Sequence, residues 1–527
     1  MTIVINAREM DALATIVEEG ARATPASVKR FVEPARGTLR RARSRRHHIV
    51  FGRRGSGKTS LLRKAAADLT VDRRPIAYVD LEPFKGHQYP DVLISSLIES
   101  FTSFREWLQT AAVYRSNKKT FWDRLFGTSP KRSALNRTEA NRLARLITDS
   151  VAELNEQLYL FDNADLTQTT HVGQEHMLHG NLGSELSFPG TAEVKADVSH
   201  SDVRCKNTEI QESFRRSKIH FLHRHILEYK DIFKEMARLS DGDAFLFLDD
   251  LYHIPRSDQT RLLDYFHRIA KGCNLWLKIG TIRHRSEWYV YGDPPIGLKL
   301  GDDADEINLD LTLEKYALAK DFLVKVLGGL IQEAEAPPIE EFLTEGAVDR
   351  LVLASGGVAR DFLGIFRRSL DIARERLKRD PNHYRGPRVM AEDVNLAAGK
   401  YGDTKQEEFK RDTLEDRDRL QEVFQGIRSF CINEANANCF LLDQDACGEG
   451  VGLVRELVDL RLIHLVRSRV TVSGRVGKIF KAYLLDVSQY TGARKRRDLE
   501  MVEFWRRGSR ERLRRISLIY APSEMGR

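Results

Sequence analysis

Apolar residues fall into two patterns along the chain, and each pattern predicts a different element. Short apolar runs with β-branched or large aliphatic side chains predict buried strands. Longer stretches with apolar residues every three or four positions predict amphipathic helices. The predicted strands are His47–Phe51, Pro75–Leu81, Ala244–Asp249 and Leu275–Thr281. Because helical stretches separate strands, we expect an α/β fold with a parallel sheet.

The predicted helices lie between the strands and after them. A polar stretch over 158–207, rich in Gly, Thr, Asn, Asp and His, predicts a loop or hairpin instead. The polar segment 380–412 contains Pro381 and Pro387 and predicts a linker with a short helix at Ala391–Ala398. The helices are expected at Ser60–Leu69, Tyr89–Phe104, Lys131–Gln157, Gln211–Leu239, Ser257–Ala270, Leu313–Gly328, Ile339–Ala354 and Val358–Lys378.

These elements divide the chain into successive units. We expect an N-terminal helical and basic segment, an α/β core in two halves that are separated by an insertion, and a helical bundle. A linker, a compact C-terminal unit and a basic tail follow. In chain order, the expected boundaries are 1–46, 47–103, 104–240, 241–300, 301–380, 381–412, 413–493 and 494–527. The insertion is 104–240, and it is much longer than a connection between the two halves of the core requires.

Composition narrows the class of protein. The 527 residues include 84 Lys+Arg and 76 Asp+Glu, which gives a net charge of +8 and a pI of about 9.1. Apolar runs stay far below the roughly 18 residues of a membrane span, and the N-terminus lacks the pattern of a signal peptide, so we expect no membrane partner. Five Cys are too few for a disulfide framework, which favours a reduced cytoplasm.

Basic residues are concentrated in two clusters. Residues 36–46 include six Arg and no acid, and residues 494–515 include ten Lys or Arg and four acids. Such clusters contact phosphates or acidic partners, or else form a solvated helix face. For 494–515 both interpretations stay open. For 36–46 we favour the solvated face, because that cluster leads straight into the Gly-rich segment described next.

A Gly-rich segment joins the first predicted strand to the helix that follows it. Its sequence, GRRGSGKT at 52–59, fits the pattern G-x-x-x-x-G-K-[ST]. Glycines let backbone N–H groups wrap a phosphate, and the helix N-terminus adds the positive end of its dipole. Lys58 is expected to reach the β- and γ-phosphates, and Thr59 to ligate Mg²⁺. The expected ATP-binding residues are Gly52, Arg53, Arg54, Gly55, Ser56, Gly57, Lys58, Thr59 and Ser60.

Two acidic residues end the predicted strand 244–249. Asp249 lies at the carboxyl end of that strand, where the nucleotide edge of such a sheet is found, and it is expected to hold Mg²⁺. Asp250 is expected to orient or activate the attacking water, or alternatively to be an acid at a helix N-terminus. Many ATPases of this type carry Glu at that position, so the shorter Asp predicts slow hydrolysis.

Cationic side chains follow at two further points. Thr281 or Arg283, after the last predicted strand, is a candidate for sensing the γ-phosphate. Arg285 is a candidate arginine finger toward a neighbouring subunit, which would imply a homo-oligomer. The turn SGGVARD at 355–361 begins a helix that directs Arg360 toward a phosphate. The alternatives are a basic surface turn and a capped helix with an exposed Arg.

The C-terminal unit has the pattern of a winged helix. An amphipathic helix at Gly452–Asp459 precedes a strand at 460–466, a basic turn, and a second strand at Ile479–Leu485. Basic residues in such a unit bind phosphates of duplex DNA and fix register, and the alternative is a protein–protein module. The expected DNA-binding residues, including those in the basic tail, are Arg467, Arg469, Arg475, Lys478, Arg494, Lys495, Arg496 and Arg497.

In this order, the four motifs resemble those of an AAA+ ATPase of the origin-recognition-complex type, over roughly residues 25–100 and 240–490. The resemblance implies a RecA-like P-loop core, a helical lid and a winged-helix domain, with ATP bound between core and lid. It assigns Walker B to Asp249 and Asp250, sensor 1 to Thr281 or Arg283, sensor 2 to Arg360, and adenine contact to residues 30–34. The catalytic residues expected are Lys58, Asp250, Arg283 and Arg360.

The resemblance also implies a function. We expect an enzyme that hydrolyses ATP with Mg²⁺ and whose nucleotide state controls binding to duplex DNA or assembly with partners, with the insertion as a docking site for protein. Such ATPases also occur in mobile-element and phage-defence systems. The Asp-Asp pair and the T-x-R sequence at 281–283 also resemble STAND signalling ATPases. The alternative is therefore a signalling switch or scaffold whose winged helix and insertion bind protein.

Overall fold

The computed structural model describes most of the chain. Within the described ranges, no helix combines the length and the hydrophobicity that crossing a bilayer demands. Part of the expected insertion, residues 161–195, and the basic residues 494–497 lie outside those ranges. The described residues are 4–21, 24–71, 74–113, 135–160, 196–240, 242–381, 383, 386–412, 417–445, 449–492, 499–506 and 509–521.

A five-stranded sheet forms the centre of the core, in the order β2-β3-β4-β1-β7. Every neighbouring pair is parallel, which confirms the predicted α/β fold. All six residues of β3 are buried, because the two faces of this strand belong to two different apolar clusters. The strands are β1 (His47–Phe51), β2 (Ile76–Asp80), β3 (Ala244–Asp249), β4 (Leu275–Thr281) and β7 (Ala304–Asn308).

Strand β7 and a small hairpin were not predicted. The sequence of β7, ADEIN, lies at the edge of the sheet and has only Ala304 and Ile307 buried, so it lacks a continuous apolar run. The hairpin pairs β5 (Tyr289–Val290) with β6 (Ile296–Gly297) and lies between β4 and β7 in the chain. Each of its strands has two residues, too few for a periodic signal.

Helices α1 (Arg8–Gly20), α2 (Thr38–Ala42), α3 (Lys58–Val71) and α4 (Asp91–Val113) belong to the N-terminal part of the chain. The insertion adds α5 (Arg137–Leu158) and α6 (Ala196–Leu239), and α7 (Arg256–Ala270) follows β3. Tyr229 and Phe233 of α6 pack on Phe101 of α4, with ring centroids 5.2 Å apart in both pairs. The insertion therefore packs on the core through α4.

Helix α6 corrects the prediction of a loop or hairpin over 158–207. Residues 196–207 are helical and continue without a break into the helix predicted over 211–239. The 44-residue helix contains neither Gly nor Pro, so nothing in its sequence interrupts the helical hydrogen-bond ladder. Alternation of polar and apolar residues near 196 was a misleading signal.

Five helices follow the sheet: α8 (Tyr316–Glu333), α9 (Ile339–Phe342), α10 (Glu345–Ser355), α11 (Ala359–Arg379) and α12 (Ala391–Asp412). Helix α12 corrects the prediction of a linker over 381–412. Its residues Val394, Ala397 and Ala398 are buried in the same apolar cluster as the lid helices. An ion pair between Arg376 and Asp393, at 3.0 Å, joins α11 to α12. These three buried apolar residues are too few to produce the helical repeat of apolar positions that predicts a long helix.

The N-terminal segment does not stand apart from the rest. Met10, Leu13 and Val17 of α1 are buried in the apolar cluster of the lid. The arginines of 36–46 instead lie on the core, where most of them are paired: Arg41 with the Glu306 carbonyl, Arg43 with Asp68, Arg45 with Asp243 and Arg46 with Asp305. These arginines therefore contribute to the attachment of the segment to the core.

The C-terminal unit is built on a three-stranded antiparallel sheet, in the order β8-β10-β9. Its elements are α13 (Arg417–Ser429), β8 (Cys439–Asp443), α14 (Glu449–Asp459), β9 (Ile463–Val470) and β10 (Phe480–Leu485). The described part of 494–527 is not a free tail. Tyr520 N–H donates to the Leu441 carbonyl at 2.8 Å, and Trp505 stacks on Tyr316 of the lid. Buried Val502, Phe504, Leu513 and Leu518 fix this segment to the unit.

Candidate functional site

The segment 52–57 turns the chain from β1 into α3 at the carboxyl edge of the sheet. Gly55 and Gly57 have φ of +83° and +97°, which L side chains rarely adopt. No atom of the described residues lies within 4 Å of the position where a Cβ on Gly57 would stand. Ser56 Oγ is buried and has no hydrogen-bond partner there. The loop is therefore an open cradle with a polar group left unsatisfied, which fits a phosphate.

Lys58 is buried at the first position of α3. Its Nζ donates to the carbonyl oxygens of Gly52 and Arg53, at 2.9 and 3.3 Å. Burial lowers the pKa of Lys58, while Asp250 and Asp249 nearby act in the opposite direction. The Lys58 Nζ also lies 5.6 Å from the ring centroid of Tyr252. A buried ammonium that is held by carbonyl oxygens and an aromatic ring is well placed to gain from an anionic ligand.

Asp249 ends β3 beneath this loop. Its carboxylate accepts hydrogen bonds from Tyr78 Oη at 2.6 Å and from the Asp250 N–H at 3.0 Å, and it is hydrogen-bonded to Thr59. Burial, followed by the charge of Asp250, raises the pKa of Asp249 to about 6. A carboxylate beside a hydroxyl offers the hard oxygen donors that Mg²⁺ prefers, so these residues fit that ion.

Asp250 has a left-handed backbone with φ +57°, a conformation that is uncommon for a residue with a side chain. Burial raises the pKa of Asp250, and Lys58 opposes that shift. Two further side chains lie close to its carboxylate. The ligand atoms of Glu82, Asp250 and His253 all lie within 4.8 Å of one another. No motif in the sequence pointed to Glu82 or His253, because their proximity depends on strand register.

Lys58, Thr59, Glu82, Asp250 and His253 line one cavity of about 290 Å³. The lid contributes Arg360 and a set of apolar side chains to it, and the segment Arg30–Pro34 contributes further contacts. Arg30 is fixed by a two-bond interaction with Glu333 of the lid, at 2.7 Å for each bond. The remaining lining residues include Gly20, Ala21, Arg54, Ser60, Asp80, Tyr252, Phe322, Val326 and Leu330. The cavity thus lies between core and lid.

Arg360 occupies the place predicted for it, at the start of α11. Its N–H donates to the Gly55 carbonyl at 3.3 Å, and its Nε donates to the Ala21 carbonyl at 3.3 Å. One residue therefore connects the lid, the P-loop and the end of α1. Its guanidinium lines the cavity and can approach a phosphate there.

Arg283 lies outside the cavity, which corrects its prediction as a catalytic residue. Its guanidinium is 3.9 Å from the Phe51 ring centroid and forms an ion pair with Glu306 at 2.6 Å. Thr281 is buried, and its hydroxyl is hydrogen-bonded to Ser286. Arg285 instead lies 5.5 Å from the ring centroid of Tyr252, a cavity residue of the same chain. Its predicted role toward a neighbouring subunit stays a prediction.

Two of the nine residues of the predicted nucleotide loop do not line the cavity. Gly52 accepts the Lys58 hydrogen bond, and Arg53 points the other way. The Arg53 guanidinium is buried, pairs with Asp310 at 3.2 Å, and donates to the carbonyls of Leu311 and Gly356. Its side chain therefore joins the P-loop to the lid and does not line the cavity. The sequence pattern leaves the direction of such a side chain undetermined.

The predicted recognition helix, α14, faces the core. Glu456 pairs with Arg256 at 2.7 Å, and the Asp459 carboxylate accepts the His284 N–H at 3.3 Å. Burial, together with the negative charge of Asp310, raises the pKa of Asp459 to about 7. The turn that follows β4 is thus in direct contact with the C-terminal unit.

Those of the predicted DNA-binding residues that the structure describes are distributed along β9 and the turn after it. Arg467 is half-buried on β9, and Arg469 and Arg475 are exposed. Lys478 forms an ion pair with Asp443 at 2.7 Å. The turn 473–478 is exposed throughout, and Val476 at its tip is 99% exposed. This turn has the exposure of a wing that contacts another molecule.

Comparisons with known proteins give a limited result. No family model matches the chain, and no curated protein matches it in sequence. It is similar to the structure of Orc1 of Aeropyrum pernix in complex with DNA, with 14% identity and a TM-score of 0.31, over 91% of this chain and 89% of that chain. It is also similar to Cdc6p of Pyrobaculum aerophilum, with 12% identity and a TM-score of 0.30, over 84% of this chain and 86% of that chain. A Walker-type ATPase of Pyrococcus abyssi has 12% identity and a TM-score of 0.37, over 86% of this chain and 94% of that chain. The assignment of site residues rests on the geometry of this chain.

Replacing Gly55 by Ala should damage the site without unfolding the core. A Cβ at this left-handed position would lie 2.7 Å from the Arg360 Cβ, so the loop or α11 has to move. We expect nucleotide affinity to fall at least about tenfold, since about 1–3 kcal/mol of strain is concentrated at the cradle. Fluorescent-nucleotide titration measures this. Gly86→Ala is the control, because Gly86 also has a positive φ, +94°, and lies in open space.

Proposed function

We propose that the protein binds ATP with Mg²⁺ and hydrolyses it slowly, as an AAA+ ATPase of the origin-recognition type. One observation carries the proposal: a single cavity brings together a P-loop, the acidic ends of two strands and an arginine of the lid. Each of these groups matches a need of phosphoryl transfer, namely a phosphate cradle, metal-binding oxygens and a positive charge. The reduced thiols expected from its few Cys favour the cytoplasm as its setting.

The proposed mechanism assigns a task to each side chain. The loop N–H groups and Lys58 bind the phosphates and stabilise the charge that develops on them. Thr59 and Asp249 would hold Mg²⁺, which supplies charge neutralisation at the phosphate oxygens when it is bound. Arg360 adds a positive charge from the lid, so its contribution requires that lid and core are closed. Asp250 orients the attacking water.

The contacts of the C-terminal unit support a link between nucleotide and partner binding. Arg53 joins the P-loop to Gly356 of the lid, and Asp459 and Glu456 join α14 to the core. A change at the γ-phosphate would therefore reach the C-terminal unit through direct contacts. We propose that ATP state controls binding of duplex DNA by the wing, or assembly with a second copy or a protein partner at the insertion. A mobile-element or phage-defence setting is compatible with that proposal.

A second candidate function is a STAND-like signalling switch or scaffold. The observation that favours it is the position of α14, whose Glu456 and Asp459 contact the core and not an open surface. A helix of a winged-helix unit that already contacts protein is typical of a protein–protein module. In this case the wing and the insertion bind protein, and ATP releases or secures α14.

The test is ATP hydrolysis by the purified protein, with and without duplex DNA, at two salt concentrations. We expect slow hydrolysis that DNA stimulates at low salt, with a stimulation that fades at high salt because phosphate contacts release counterions. Hydrolysis that ignores DNA at both salt concentrations would favour the switch. Absence of both ATP binding and hydrolysis would contradict the proposed function.

Neutralising the exposed wing should weaken DNA binding while the ATPase activity survives. In the double variant Arg469→Ala, Arg475→Ala, the dependence of log affinity on log salt should become shallower by about 2, since each phosphate contact contributes about 0.9. Fluorescence anisotropy at several salt concentrations measures this slope. A parallel variant that neutralises Arg494, Lys495, Arg496 and Arg497 tests the second basic cluster. Unchanged affinity at low salt would remove the tested cluster from the DNA-binding surface.

A further inference from the structure

We propose that the Glu82 carboxylate is a catalytic base for ATP hydrolysis and shares with Asp250 the task that one Glu performs where a Walker B strand ends in Asp-Glu. The inference rests on the proposed function and adds a residue to it. Glu82 comes from β2 and not from β3, so no motif of the sequence points to it. Its position in the cavity is what suggests the role.

Strand register places Glu82 at the site. Asp80 of β2 pairs with Asp249 of β3, and the Leu81 N–H donates to the Asp249 carbonyl at 3.1 Å. The chain then enters a short 3-10 turn at Glu82–Phe84. Because both strands run in the same direction, the residues just beyond these partners meet at one edge. Glu82 is therefore brought beside Asp250.

The turn that carries Glu82 is fixed by Asp80. The Asp80 carboxylate accepts the Glu82 N–H at 3.0 Å, and the Leu81 carbonyl accepts the Phe84 N–H at 3.2 Å. Asp80 is thus engaged in holding the backbone. The Glu82 side chain is exposed in the cavity, and its carboxylate makes no hydrogen bond or ion pair with the described residues. Of the two acids from this strand end, Glu82 is the one available for chemistry.

The length of the two side chains explains why two are needed. Asp250 is one methylene shorter than Glu, and its left-handed backbone fixes where its carboxylate can lie. Glu82 has the longer side chain, and its carboxylate oxygen lies within 4.8 Å of those of Asp250 and of a nitrogen of His253. A water between these groups has two carboxylates to bind it, which orients its lone pair toward a phosphate in the cradle.

The step balances with groups that the proposal names. The water oxygen forms a bond to the γ-phosphorus, and the bond between that phosphorus and the β–γ bridging oxygen breaks. The electron pair of the broken bond leaves with ADP. The proton of the water passes to the Glu82 carboxylate and from there to the released phosphate. Glu82 is then a carboxylate again, and no further reactant is required.

The experiment compares Glu82→Gln with Glu106→Gln, an exposed Glu on α4 outside the cavity. We expect kcat of Glu82→Gln to fall about 100-fold or more, the range typical of a lost general base. The dissociation constant for a fluorescent ATP analogue, measured in EDTA, should stay within about threefold of the native value. Glu106→Gln should match the native protein in both measurements. The thermal unfolding midpoints of Glu106→Gln and Glu82→Gln should be equal.

A rescue variant separates catalysis from structure. Asp250→Glu, placed in the Glu82→Gln background, restores the longer carboxylate on β3, and we expect kcat to recover at least about tenfold. An unchanged kcat in Glu82→Gln would overturn the inference, as would a loss of turnover that saturating ATP restores. Failure of the proposed function is recognised separately, because the native protein would then neither bind nor hydrolyse ATP.

Discussion

Lys58→Ala loses ATP turnover and about two orders of magnitude of ATP affinity, while the fold is retained. The affinity loss follows from the removal of charge-assisted hydrogen bonds to phosphate, at about 1.5–3 kcal/mol each. The fold is retained because the Lys58 ammonium donates hydrogen bonds to the Gly52 and Arg53 carbonyls and pairs with no carboxylate of the described residues, and burial already disfavours its charge. We expect the thermal midpoint without nucleotide to stay the same or to rise.

The matched control is Lys64→Ala, on the same helix. Lys64 is partly exposed and pairs with Asp68 at 2.9 Å, so it shares the helix and the charge of Lys58 but not the cavity. Calorimetric titration with ATP and circular dichroism measure affinity and fold. Undiminished nucleotide binding by Lys58→Ala, beside a native-like Lys64→Ala, would disprove the assignment of the nucleotide site.

Asp486→Ala destabilises the protein by about 3–5 kcal/mol, because it leaves buried charge without a partner. Its carboxylate accepts from Lys405 at 2.7 Å and is 2.8 Å from His464 Nε2. Lys405 also pairs with Asp361 of the lid, which in turn pairs with Arg461. All five side chains are 4% exposed or less, so water replaces none of these interactions.

Chemical denaturation followed by circular dichroism measures this effect. Asp418→Ala is the control, since Asp418 is 96% exposed beside Arg417 and should change stability by about 0.5 kcal/mol or less. A denaturation midpoint of Asp486→Ala equal to that of Asp418→Ala would show that the network contributes nothing. ATPase activity is expected to fall with the lid contacts, because Asp361 adjoins Arg360.

The same network gives a pH dependence with a definite sign. Burial alone would raise the pKa of Asp486, but Lys405 and His464 outweigh it and hold that pKa well below its usual range. A carboxylate with a depressed folded-state pKa contributes its full stability above its unfolded pKa, near 4, and loses it as the pH falls toward the folded value. The native protein should therefore lose stability below about pH 4 more steeply than Asp486→Ala.

The sheet and the P-loop were predictable because parallel strands that are buried on both faces appear as uninterrupted apolar runs. Strand β3 is the clearest case, with six buried residues followed by an acid. Strand β7 was not predictable in this way, since Asp305 and Glu306 interrupt its pattern at the sheet edge. The start of helix α12 was predicted at Ala391–Ala398, where Val394, Ala397 and Ala398 are buried, but its continuation to Asp412 was missed because the sequence after Ala398 is largely polar.

The site was predictable only as far as one continuous segment specified it. Lys58, Asp249 and Arg360 lie where their motifs suggested, because each motif fixes its own backbone. Arg283 and Glu82 show the limit. Arg283 lies on Phe51 and pairs with Glu306, two partners that the sequence around it does not reveal. Glu82 enters the cavity through the register of β2 on β3, which is a property of the sheet and not of either strand alone.

The packing of α1 on the lid has a consequence for biosynthesis. Met10, Leu13 and Val17 leave the ribosome long before their partners, which lie in helices that end as late as Arg379. At about 5–20 residues per second, the intervening chain takes roughly 20 to 70 seconds to synthesise. During that interval the apolar face of the first helix has no native partner. Nascent chains stalled before residue 316 should therefore present it to chaperones, and chains released after residue 379 should not.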